Sequence, residues 1–192
     1  GLERDHIKEW ATNWSGGAAE LLSGKASQPR EQKWAIDLFR VCVDEPLLLE
    51  QLSEERLALI DLAPLRALFV AAAESAARTG KVKPEILSQE NLPGELKNRL
   101  AECFMADTED SESDRLSRFQ ALIGRLQKAR WERDMDVIQA KLKRLHGHHD
   151  EKWPEIKDLV AQKHEIMERV RIVNDFLDRV SGKGSEHVQE VH

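Results

Sequence analysis

Apolar residues recur at helical intervals along most of the chain. Pro29 sits where a first helical turn tolerates proline, and Trp34, Leu38, Val41 and Cys42 follow as one stripe until Glu45-Pro46 stops it. Pro46 opens a short Leu47-Leu48-Leu49 helix that reaches Leu52. Ser53 before Glu54, Glu55 and Arg56 then reads as a helix N-cap with acids in the first turn. From Pro64 a longer helix carries Leu65, Leu68, Phe69 and Ala72 to Thr79, with Gly80 as its C-terminal stop. Pro84 starts a short helix with Ile86 and Leu87, and Pro93 starts another with Leu96, Leu100, Cys103 and Phe104 that runs to Met105. Helices this short need a common core, and Trp34, Leu38, Leu68, Phe69, Leu100 and Phe104 are the side chains expected inside it.

Ala106 to Ser113 reads as an acidic connector, after which the pattern changes. Leu116, Phe119, Ile123, Leu126, Met135, Ile138, Leu142 and Leu145 keep helical spacing, with a weaker middle around Arg130 and Arg133. That predicts one helix of roughly 30 residues, about 45 Å long, too long for one small core. His146, Gly147, His148, His149 and Asp150 break it. A last helix from Trp153 carries Ile156, Leu159, Ile166, Val170, Val173, Leu177 and Val180 at heptad-like spacing. Two such helices joined by a short polar turn make a helical hairpin.

The expected fold is therefore all-α: an N-terminal arm over 1–28, a helical bundle over 29–128, a long helix leading into a C-terminal hairpin over 129–182, and a disordered tail over 183–192. Residues 2–24 have a helical pattern of uncertain packing, interrupted by Gly16-Gly17. An isolated hairpin buries little, so its outer apolar residues need a partner. Arg169, Ile172, Phe176 and Arg179 lie on one flank of the last helix, offset from the Val170, Val173 and Leu177 seam, and are the expected partner contacts. Trp131 and Trp153 flank the hairpin, and Trp153 joins that set as an aromatic anchor.

Composition narrows the function classes. The 41% apolar content can fill a core, while 33% charged residues, the absence of Tyr, and only 10 Gly and 6 Pro favour helices over a sheet. The net charge is −6, with the acidic excess before residue 112 and the rest close to neutral. Neither part presents the clustered basic face that phosphate binding needs, so no direct nucleic-acid contact is expected. Cys42 and Cys103 lie in apolar stretches and offer neither a disulfide framework nor a paired metal motif. Apolar runs are short and broken by charge, and no basic-then-apolar leader opens the chain, so the expected place is the cytoplasm, away from membranes. The chain opens on Gly1 rather than Met, which fits a fragment of a longer protein.

Catalytic chemistry is not expected. His146, His148, His149 and Asp150 crowd one turn instead of converging from separated positions, so no metal site is assigned there. Acid pairs such as Glu54-Glu55 and Asp134/Asp136 lie in polar runs that do not shift a carboxyl group toward general acid or base work. No phosphate-cradling or nucleophile motif occurs, and no cofactor is implied.

Trp34 to Pro46, followed by Leu47-Leu48-Leu49-Glu50-Gln51-Leu52, is similar to the apolar helix and leucine-rich turns of the C-terminal helicase-binding domain of bacterial DnaG-type primases. Pro64 to Phe69 and the Gly80 to Leu87 turn resemble that family's next segments, and Asp114 to Arg169 resembles its long helix and terminal hairpin. The resemblance spans about residues 30–180. It implies a bundle that modulates the replicative helicase and a hairpin that grips the N-terminal domain of a DnaB-type helicase. It also implies a parent primase whose catalytic parts lie outside this chain, and a chain that is monomeric alone. The N-terminal domain of a replicative helicase resembles the same bundle. From another class, a stand-alone regulatory or coiled-coil oligomeriser pairing its 153–180 stripe with a second copy also fits the pattern.

Overall fold

The structure is a computed structural model that describes residues 29–89, 92–105, 111–145 and 152–182, and among these all regular structure is helical. In chain order the elements are α1 (Pro29–Asp44), a 3-10 turn (Pro46–Gln51), α2 (Glu54–Leu57), α3 (Ala63–Thr79), α4 (Ile86–Gln89), α5 (Gly94–Glu102), α6 (Glu112–Leu145) and α7 (Trp153–Val180). The all-α expectation holds. The arm pattern of 2–24, the His146–His149 cluster and the 183–192 tail lie outside the described residues.

Local chemistry sets most of the boundaries. The Ser53 hydroxyl accepts from Arg56 N–H at 3.4 Å and caps α2. Gly80 closes α3 at φ 72°, a left-handed conformation that glycine takes without a side-chain clash, and its N–H reaches the Ala76 carbonyl at 2.7 Å. The Leu47–Leu49 segment winds as a 3-10 turn rather than an α-helix, since six residues behind a proline are too few to repay an α nucleus. The acidic connector ends earlier than its composition implies. Ser111 Oγ caps the Asp114 amide at 3.2 Å and donates back to the Asp114 carboxylate at 2.6 Å, so α6 starts at Glu112 and runs for 34 residues. Conversely α5 stops at Glu102, and Met105 ends up 86% exposed.

The main core gathers side chains from every helix up to the first part of α6. Phe39 of α1 meets Phe69 of α3 edge-on at 5.4 Å between ring centres and Phe104 at 6.1 Å, the geometry in which the electropositive ring edge faces the partner's π surface. Leu38, Leu65, Leu68, Leu100, Phe119 and Leu126 complete its fully buried interior. Trp34 and Phe104, expected inside, are half-buried and pack on the core's margin, where large aromatics often end.

Two ion pairs fix α1 along α6 in antiparallel sense. Glu45 and Arg115 meet at 3.1 Å at one end, and at the other Arg133 binds the buried Glu31 carboxylate and, at 3.0 Å, Asp61. Arg130 adds contacts to Asp134 at 3.6 Å and Asp61 at 4.0 Å. The weak middle of the α6 stripe is thus a polar clasp, placed between the last main-core residue, Leu126, and a second apolar cluster that includes Trp131. That second cluster is thin. Ile138, Leu159 and Ile166 are buried in it, with Met135, Leu142, Leu145 and Val170 packed around them.

Candidate docking surface

α7 lies antiparallel to α6 and runs back far enough to touch the bundle's part of that helix. At that end α6 carries Gly124, where a Cβ would stand 3.5 Å from both Val173 and Leu177, an ordinary packing distance that marks where α7 lies against α6. Leu159 and Ile166 are buried at the other end, so the heptad seam of α7 is filled by α6. The final turns of α7 lie against Gly124 of α6 and share a groove with Phe119 and Ile123.

Two surfaces of α7 remain outside the seam. Trp153, Val160 and Met167 are spaced by seven residues and stay 53%, 40% and 48% exposed. At 3.6 residues per turn they fall on one flank of the seam, and Ile172, Phe176 and Arg179 fall on the opposite flank. Val160 and Met167 were not among the expected contacts, although their interval from Trp153 is visible in the sequence. Attention to the buried seam hid it.

The expected contact set therefore divides. Ile172 is 62% exposed. Phe176 is half-buried, not open, and with Arg179 it faces the bundle residues Gln51 and Arg56 across a groove of about 450 Å³. Arg169 is exposed and pairs with Glu165 one turn away, an arrangement of little energetic weight. Trp153 sits at the far end of the helix, roughly 40 Å from Arg179 at 1.5 Å per residue. Arg169, Ile172, Phe176 and Arg179 share one flank of α7 by helical spacing, and Trp153 lies on the other. Arg56 and Gln51 escaped sequence reasoning because nothing in the chain pattern brings the 3-10 turn beside the end of α7.

Burial pushes the Cys42 thiol well above its usual range and the Cys103 thiol up to about 11, the latter against the pull of Arg40. Burial also raises the Asp134 carboxyl, with Arg130 and Arg133 pulling it back. Among the described residues no group of three or more His, Cys, Asp or Glu could hold a metal ion, and no helix is long and apolar enough to cross a membrane. No family model, curated protein or solved structure matches the chain.

Proposed function

We propose that this chain is a non-catalytic docking module of the kind that ends DnaG-type primases, and that it recruits a primase to the N-terminal domain of a replicative DnaB-type helicase in the cytoplasm. One observation carries the docking half of the reading. After α6 has filled the seam of α7, that helix still holds Trp153, Val160 and Met167 largely exposed on one flank, and a row of large exposed apolar residues on a two-helix unit is the usual mark of a protein partner. The order of elements, from the Trp34–Pro46 helix to the paired long helices, supports the primase half. The coiled-coil oligomeriser needs the 153–180 seam free for a second copy, and α6 occupies it.

The test is titration of the cognate helicase N-terminal domain into the chain and its variants, followed by calorimetry. Trp153→Ala with Met167→Ala weakens binding by about tenfold or more while circular dichroism stays that of the parent. Unchanged affinity in both this variant and Phe176→Ala with Arg179→Ala removes α7 as the grip. A chain that is dimeric by light scattering and ignores the helicase favours the oligomeriser, and primer synthesis by the chain alone ends the non-catalytic reading.

A further inference from the structure

The groove between the bundle and the end of α7 has a chemistry distinct from the exposed row of Trp153, Val160 and Met167. Phe119, Ile123, Ile172 and Phe176 give it an apolar lining, joined by the uncharged polar side chains of Gln51, Gln120 and Gln127. Gly124 lines it as well. The charged residues lining it are Arg56 on the bundle side and Arg179 on the α7 side, and no carboxylate lines it among the described residues. In a chain with 35 acidic residues against 29 basic ones, an all-cationic lining is a local inversion of the net charge.

Both guanidinium groups are held by main chain. Arg56 Nη1 donates to the Gln51 carbonyl at 2.8 Å, and Arg179 Nε donates to the Asp175 carbonyl at 3.2 Å. Neither has a carboxylate at ion-pair distance among the described residues, whereas Arg115, Arg130, Arg133, Arg169 and Arg171 all do. Each keeps further N–H donors in a planar fork, the shape that takes a carboxylate in bidentate fashion.

We infer that this groove docks an acidic amphipathic helix of a partner protein, with an apolar side chain on Phe119, Ile123 and Phe176 and flanking carboxylates on Arg56 and Arg179. The inference rests on the docking reading of α7 and adds the charge and shape of what docks there. The occupant is a helix because the groove is walled by helices and offers no strand edge among the described residues. A ligand's peptide groups must then be satisfied within the ligand itself. The volume of about 450 Å³ takes side chains from one face of a helix, not its whole girth. Two cations on opposite walls of the groove suit carboxylates flanking an apolar side chain, while a phosphate backbone needs a broader basic face than two arginines.

The experiment uses the full chain and a fluorescein-labelled, lactam-stapled 16-residue helix carrying Leu along one face and Glu one turn to either side. A second helix has every such Glu replaced by Gln. Anisotropy titrations are expected to show the Glu helix binding about tenfold more tightly than the Gln helix, with the difference shrinking at high salt. Arg56→Glu with Arg179→Glu abolishes the preference, and Arg56→Lys with Arg179→Lys keeps part of it. Arg179→Gln alone, which leaves the Arg56 turn intact, lowers affinity for the Glu helix and so tests the groove even if the double reversal misfolds. Equal affinity for the two helices, binding of neither, or displacement of the Glu helix by a short oligothymidine overturns the inference. Helicase titrations on the same variants separate the two readings. Loss of the Glu helix with undiminished helicase affinity keeps the groove and removes Arg179 from the helicase grip. Loss of helicase binding in Trp153→Ala with Met167→Ala, with no probe bound by the parent, keeps the grip and ends the groove assignment.

Discussion

The bundle and the outer part of the α6–α7 pair are built from the same kinds of residue at the same spacing, yet they bury them differently. The main core collects side chains from several helices around Phe39, Leu38, Leu65 and Leu68, each with essentially no exposure. Among the described residues, the two helices beyond Arg133 have only each other, and Ile138, Leu159 and Ile166 are the buried residues there. A helix covered from one side leaves the rest of its apolar surface wet, so the distal pair has less burial per residue and lower local stability. The fully buried side chains are thereby concentrated in the bundle, while the exposed row of Trp153, Val160 and Met167 lies on the outer pair. The polar clasp of Glu31, Asp61, Arg130, Arg133 and Asp134 marks the border between them.

The sharpest way to break this comparison is to empty each region in turn. Phe39→Ala is expected to cost about 3–5 kcal/mol, because the ring is fully buried against two other aromatics and several helices limit collapse of the cavity. Urea denaturation followed by circular dichroism measures it. A cost under about 1 kcal/mol would put Phe39 at a yielding margin.

Next comes the clasp. Arg133→Met strands the buried Glu31 carboxylate and is expected to cost about 2–4 kcal/mol, while adding Glu31→Leu restores most of the loss. A double-mutant cycle that shows simple additivity would reduce the clasp to two independent contacts.

Ile138→Ala is expected to cost about 2–3 kcal/mol, less than Phe39→Ala because two helices can close over the gap. Its signature is local. Amide exchange should accelerate from about residue 135 to 166 while α1 and α3 keep their protection. Uniform acceleration throughout the chain would mean that the bundle and the distal pair unfold as one unit.

The smallest effect belongs to Asp134. Its carboxyl is raised by burial, so the folded state holds that proton more tightly than the unfolded chain does. The stabilisation this brings is present below the unfolded carboxyl range and is lost as pH rises through the raised folded value. Asp134→Asn is therefore expected to change stability by less than about 1 kcal/mol at neutral pH, with the parent improving relative to the variant as pH falls toward 4. Urea midpoints at the two pH values test the sign, and a parent that loses ground to the variant in acid reverses it.

Helix type, order and most starts and stops were legible in the sequence, because prolines at first turns, Ser53, Gly80 and three-to-four spacing act through neighbours in the chain. The buried roles of Leu38, Leu68, Phe69 and Leu100 were legible for the same reason: a stripe on a short helix has nowhere to go but a shared core. The start of α6 was also within reach, since Ser111 and Asp114 stand at capping distance, but the acidity around them obscured it. What tertiary structure alone decided is which stripes meet. Glu31 and Arg133 are far apart in sequence and became partners because α1 lies antiparallel along α6. Phe176 left the open flank that helical spacing assigned to it because α7 returns as far as Gly124. Arg56 came to face Arg179 only through that return. Local patterns determine which face of a helix is apolar, but the choice between covering that face with the chain itself and leaving it for another protein depends on where the remaining helices reach.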